Sequence, residues 1–451
     1  MKKVIALLLT VVMIVSSLVA CGKDSGNNNG GNAGNNSGNT SGGSNSGSSE
    51  TNSGGSNTSS DEKINLTMWC IATESDSNRH AYEAAIADLK AAHPEINFTW
   101  EATQNQEYKT KIKAAVAANE MPDIFFTWSC AFLGDFVDAG RVYCVDEVYK
   151  KYASELPEVM MGNVKYDGKY YGAPLTMNIV AMFTNLDLLK EVGYDQAPTT
   201  YEELIKCCDA LVAKGIIPFG CSGKETWCVT EYLESIIEKT AGASVLNDIF
   251  AGKATWKNDD VAKGVEIFQE MIKKGYFDPE GMALSNDEVK ANFIAGKYAF
   301  YMNGTWNCAD FYNAGIADKI QVAEFPVIDS SKSKMGELIG GPSDTLAVAA
   351  SSKNAEKAAE ITFELARSIC KYGYLDGNGL PAWTPNYDTS SINPLTQTVA
   401  DIVAKSSQMV LFGDTAMSAD KANIYLDYVS QIYASAIDGK QFVDGLAKDI
   451  Q

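Results

Sequence analysis

Two tryptophans stand where a strand gives way to a loop. Trp69 closes Ile64-Asn65-Leu66-Thr67-Met68-Trp69, and Trp128 follows Met121-Pro122-Asp123-Ile124-Phe125-Phe126 by two positions. An indole offers a broad apolar face and one N–H donor, which suits it to holding a ring-shaped polar molecule rather than to breaking a bond. Metal chemistry lacks a ligand set: the two histidines, His80 and His93, fall on one predicted helix, far in sequence from the cysteines. Arg79, Arg141 and Arg367 are the only arginines, so bidentate capture of phosphate or carboxylate is poorly supplied. These features predict an uncharged ligand, with no metal and no cofactor.

The elements that must position those indoles read as alternating strands and helices. The strand at Ile64 to Trp69 is followed by Ser75-Asp76-Ser77, which supply N-cap residues before Tyr82, Ile86 and Leu89 recur at helical spacing. Ile96 to Trp100 is a second strand, Tyr108 to Ala118 a second helix, and Met121 to Phe126 a third strand. This alternation predicts a largely parallel sheet covered on both faces, with ligands meeting the crevice at the carboxyl ends of its strands. If the first and third strands are neighbours, Trp69 and Trp128 overhang one crevice. An ordinary place in the core is the competing reading for each.

The amino terminus reads as an address. Lys2 and Lys3 precede a mostly apolar run from Val4 to Val15, and Leu18-Val19-Ala20-Cys21 closes it in the manner of a lipobox, with Cys21 as the lipidated residue. From Gly22 to about Ser60 the chain is almost wholly Gly, Ser, Asn and Thr, too polar to offset the entropy of ordering. Such a coil has a typical end-to-end distance of about 35 Å, enough to hold a body clear of a membrane. The remainder, with 45% hydrophobic residues overall, is long enough for two cored lobes. A formal charge of -20 argues against nucleic acid or an anionic membrane surface as partner. Beyond Cys21 an odd number of cysteines remains, and the close pairs Cys207-Cys208 and Cys221 with Cys228 read best as buried thiols.

A more specific pattern begins at Tyr171-Gly172-Ala173-Pro174, continues through Phe183-Thr184-Asn185, and then Pro198-Thr199-Thr200-Tyr201-Glu202-Glu203-Leu204. Together with Pro122-Asp123-Ile124-Phe125-Phe126 and the run from Asn292-Phe293-Ile294-Ala295-Gly296 to Gly304-Thr305-Trp306, it resembles the family-1 extracellular solute-binding proteins, the group containing maltose-binding protein. The resemblance spans essentially the whole body of the chain. It implies a two-lobe α/β fold of the type II periplasmic-binding-protein kind, each lobe a mainly parallel sheet flanked by helices, with the cleft at the hinge. The expected organisation is 1–21 signal peptide, 22–60 linker, 61–173 plus 338–373 as one lobe, and 174–337 plus 374–451 as the other.

Residue by residue, the resemblance implies that Asn178, shortly after the crossing proline and beside Thr176 and Met177, contacts the ligand. It puts Trp306 against a sugar, where an indole face packs on the axial C–H patch of a pyranose. Trp227 falls in a segment where relatives carry another stacking aromatic. Gly340 and Gly341 match the second crossing, where glycine lets backbone approach a ligand, and Trp383 sits in a Gly-x-Pro-Ala loop within reach of the cleft rim. Asp123 completes the candidate set. The implied function is capture of a neutral carbohydrate by hinge closure and delivery to the permease subunits of an ABC importer, by a monomer anchored on the outer face of a Gram-positive cell membrane. Three rivals compete. A glycoside hydrolase needs a carboxylate pair, for which the matched segments offer only Asp123, Glu225 and Asp344, each with a structural explanation. A polyamine would want several carboxylates with aromatic walls. An adhesin would show repeats or all-β patterning, and neither is visible.

Overall fold

In the computed structural model the described residues are 63–450; the expected signal peptide, Cys21 and the linker lie outside them. The chain opens with β1 (Ile64–Cys70), α1 (Arg79–Ala92), β2 (Ile96–Ala102), α2 (Asn105–Ala118), β3 (Ile124–Trp128) and α3 (Ala131–Asp138). β1 pairs in parallel with both β2 and β3, so the first and third strands are neighbours and the condition for Trp69 and Trp128 to share a crevice is met. α2 begins because Gln104 caps it, its side chain accepting from the Gln106 and Glu107 N–H groups, and ends where Asn119 turns left-handed at φ 56°.

The chain then leaves the first sheet through β4 (Ala173–Pro174) and enters β5 (Thr176–Asn185), all ten residues of which are buried. β5 is the spine of a second sheet. After it come β6 (Ile217–Gly220), α4 (Trp227–Ala241), α5 (Asp259–Lys273), α6 (Asn286–Ile294), β7 (Tyr298–Gly304), β8 (Ile320–Ala323) and β9 (Glu337–Gly341). The return runs through β10 (Asp344–Val348), α7 (Ala355–Asp376), β11 (Leu380–Pro381), β12 (Gln408–Val410), the short α8 (Gly413–Ala416) and α9 (Ala419–Tyr433). The first sheet has the order β2-β1-β3-β10-β4, and the second β12-β9-β5-β7-β6, with β8 and β11 also on β5.

Both sheets are mixed. The parallel pairs are those joined through helices, whereas β10 on β3 and every partner of β5 run antiparallel, because these strands carry the chain across and back. One detail departs from the expected division of the chain. Leu338 to Gly341, assigned with the first lobe, pair instead with β12 and β5 of the second sheet, and the chain enters the first sheet only at Asp344. A five-residue strand carries no period that says which sheet it joins. The first sheet and its helices form one apolar cluster, and the second sheet has a cluster on each face.

All nine described cysteines are free, and all but Cys130 and Cys144 are buried. Burial pushes the Cys70 thiol up to about 12. No described helix is long and apolar enough to cross a membrane.

Candidate functional site

A cavity lies between the elements of the two sheets, taking in about 1040 Å³ of space when the open solvent at its mouth is included. Its floor comes from the carboxyl ends of the parallel strands: the β1–α1 loop with Asp76 and Asn78, the β2–α2 junction with Gln104 and Asn105, and Trp128 at the end of β3. The opposite wall is built by Trp227 and Glu231 of α4, Asn286 and Lys290 of α6, Trp306 and Asn307 after β7, and the Phe412 to Thr415 turn. Direct bridges join the two walls: Lys109 Nζ to Asp414 Oδ2 at 2.8 Å and Ser77 Oγ to Asp310 Oδ2 at 3.0 Å.

Aromatic faces line both sides. Trp227 and Trp306 have ring centroids 6.1 Å apart at 58°, and Trp306 continues to Phe412 at 6.1 Å. Across the cavity Trp128 is clamped edge-on by Phe126 and Phe132 at 5.0 and 5.1 Å, so its ring is held rigidly by the first core.

The polar atoms among these rings are incompletely bonded. Asn105 Oδ1, Trp227 Nε1, Asn307 Oδ1 and both carboxylate oxygens of Glu231 are buried without a hydrogen-bond partner. A buried polar group left alone costs about 1–3 kcal/mol, and these five atoms all belong to residues that line one cavity. Glu231 is 1% exposed, and its carboxyl is held well above the usual range, first by burial and then by Asp414 and Glu234. Burial also raises Asp76 to about 6 and Asp344 to about 7, the latter with help from the Asp76 charge. Glu231, Asp76 and Asp344 are thus biased toward their neutral forms, which donate as well as accept.

Of the residues expected at the site, Trp128, Trp227 and Trp306 line the cavity. The others are placed elsewhere. The cavity begins at Ile71, and Trp69 lies beneath Lys111, whose Nζ is 4.0 Å from the ring centroid; alternation along β1 turns the indole toward α2. Asn178 is buried in the crossing, its Oδ1 accepting from Thr305 Oγ1 at 3.0 Å. Gly340 and Gly341, at φ 137° and 146°, make a close strand crossing: a Cβ on Gly340 would run into the Asn178 carbonyl. Trp383 is 4% exposed, donates to the Pro174 carbonyl at 2.8 Å, and packs on Tyr152 and Phe363 in the first core. Asp123 sits at the start of β3, away from the cavity, accepting from Thr67 N and Oγ1 at 2.8 Å and from Ser352 Oγ at 2.6 Å.

Sequence reasoning passed over Glu231, Asn105, Asn307, Lys109 and Asp414. One signal was present: Glu231, Glu234 and Glu238 recur at i, i+3 and i+7 on α4, a helix otherwise rich in Val, Leu and Ile. A charged stripe on a buried helix needs partners, and here Glu234 finds the Tyr425 hydroxyl and the Gly413 N–H, and Glu238 finds Ser333. Glu231 alone faces the cavity without one. Among the described residues no cluster of His, Cys, Asp and Glu could hold a metal ion.

The chain resembles known binding proteins. The multiple sugar-binding protein of Streptococcus mutans is 23% identical over 359 residues, covering 77% of this chain and 82% of that protein. The galactooligosaccharide-binding protein of Bacillus subtilis is 29% identical over 212 residues, 44% of this chain and 46% of that one. A structure solved in work on xylan utilization by the thermophilic bacterium Caldanaerobius polysaccharolyticus superposes with a TM-score of 0.83 at 32% identity, covering 86% of this chain and all (100%) of the other. A chitin oligosaccharide binding protein shares the fold at TM-score 0.79 and 21% identity, covering 86% of this chain and 98% of its own. Residues 74–362 match the model of one family, a span that takes in most of the cavity lining but not the Phe412 to Thr415 turn. The chain belongs to the bacterial extracellular solute-binding proteins, the family its strand-crossing motifs resembled.

Proposed function

We propose that this protein binds a neutral oligosaccharide in the cavity between its two sheets and presents it, by hinge closure, to an ABC importer. The observation that carries this reading is the pairing of indole faces with unpartnered polar atoms. Trp128, Trp227 and Trp306 offer flat apolar surfaces, and Asn105, Trp227 Nε1, Glu231 and Asn307 supply both donors and acceptors beside them. A pyranose presents this mixture of C–H patches and hydroxyls, each hydroxyl both donating and accepting. A ligand that contacts both walls gains its full set of contacts only when they are close together, so it favours the closed state. Relatives named for sugars and a xylan-associated structural neighbour support the ligand class. Attachment of the chain to the membrane through Cys21 follows from the sequence and belongs to the same proposal.

A second reading has one observation in its favour. Asp76, Glu225, Glu231, Asp287, Asp344 and Asp414 surround the cavity, which would suit the amines of a polyamine. Against it, Asp414 is neutralised by Lys109, and Lys290 stands beside Asp287. A thermal-shift panel decides: residues 61–451 are melted with xylo-, chito-, galacto- and malto-oligosaccharides and with spermidine. A concentration-dependent rise with one neutral glycan supports the proposal. A rise with spermidine alone overturns it.

A further inference from the structure

The cavity shares one wall with a second space. Lys109 of α2 and Asp414 of α8 line the main cavity and also a separate groove of about 680 Å³. Their ion pair, 2.8 Å long, has side chains only 14% and 7% exposed, and Lys109 Nζ also sits 4.8 Å from the centroid of the Trp128 ring. α2 packs on the first sheet through Tyr108, Ile112 and Val116, whereas Asp414 follows Phe412, a member of the second core. The pair therefore reaches across the cleft from one side to the other. Beyond it the groove is of mixed character, with Gln106, Thr110 and Lys113 from α2 and Asn423 of α9 set among Phe132, Ala422 and Leu426.

We propose that Lys109 and Asp414 form the end wall of the binding cavity and set the longest chain the protein accepts. This rests on the oligosaccharide reading and sharpens it, by assigning a length limit to two residues. A ligand whose terminal unit stops beside Trp128 leaves the ion pair intact. A chain one unit longer must pull the ammonium and the carboxylate away from each other in nearly dry surroundings, and the groove's few exposed polar groups return less than that separation costs. The main cavity and the groove share Lys109 and Asp414 as lining residues, so the pair stands between the two spaces.

The test is calorimetry with xylo-, chito-, galacto- and malto-oligosaccharide ladders, from disaccharide to hexasaccharide, against the wild type and a Lys109→Ala/Asp414→Ala variant. In the wild type, affinity falls at least about tenfold on passing from the best length to the longer members of its series, and in the variant the same step changes affinity less than about threefold. Lys109→Gln/Asp414→Asn, which removes both charges together and keeps a polar side chain at each position, gives the same comparison should the alanine pair not fold. Identical length profiles in wild type and variant would overturn the wall while leaving the carbohydrate reading intact. Failure of every ladder to bind the wild type would remove that reading, and the proposal with it.

Discussion

Trp227 and Trp306 meet at 6.1 Å and 58°, one from the first turn of α4 and the other from the turn after β7, so neither ring can shift without disturbing the other. Their mutual support explains why the Trp227 N–H can be left buried and unpaired: the two rings fix where a ligand acceptor must come. Replacing Trp306 by Ala should weaken binding of the best oligosaccharide by about 2 kcal/mol or more, roughly thirtyfold, since a buried indole at the centre of an interface behaves as a binding hot spot. Isothermal titration of the variant measures it, and an unchanged affinity would take Trp306 out of the site.

Glu231 should trade stability for binding. Its two oxygens have no partner in the cavity wall and its carboxyl is buried. Glu231→Leu removes that penalty, so the unliganded variant should be more stable by about 1 kcal/mol or more in urea melts, while sugar affinity drops. Loss of stability together with unchanged affinity would assign Glu231 a purely structural role.

The acids of α4 give the fold a pH dependence whose sign follows from linkage. Glu234 is fully buried between Tyr425 and Gly413, and burial, with the Asp414 charge, raises it to about 8 from an ordinary value of 4.5. A carboxyl raised on folding binds its proton more tightly in the native state. Its contribution is therefore complete below about pH 4.5 and is lost as pH rises through about 8. Melting temperature should fall across that window, and Glu234→Gln should flatten the fall. A variant with the wild-type slope would contradict the assignment.

Trp383 carries the opposite expectation to Trp306. It is bonded to Pro174 and enclosed by Tyr152 and Phe363. Trp383→Ala should cost about 3–5 kcal/mol of stability, the usual result of emptying an aromatic site in a core, whereas Trp383→Phe should retain ligand affinity. Chemical denaturation and titration of the two variants separate these effects.

The strand-end rule found Trp128 because β1 and β3 do pair, a condition the strand and helix alternation left open. The same rule misplaced Trp69, since one position along a strand reverses the face a side chain occupies. Asn178, Gly340 and Gly341 were sought at the ligand and instead build the crossing itself, where Thr305 bonds Asn178 and the glycines let β9 approach β5. Asn105, Asn307 and Asp414 come from three distant stretches, and only the folded chain brings them around one cavity. The Glu231, Glu234 and Glu238 stripe was legible in α4, but Tyr232, Ile236 and Ile237 gave a simpler helical pattern that hid it.

The central claim, a neutral oligosaccharide held between indoles and unpartnered polar groups, is tested most directly by one calorimetric titration repeated at low and at high salt. Residues 61–451 are titrated with the best glycan of the panel. The expected result is binding whose affinity is the same at about 0.05 M and about 1 M sodium chloride, because no net charge is exchanged. Affinity that collapses at high salt, or spermidine binding where no glycan does, would contradict it.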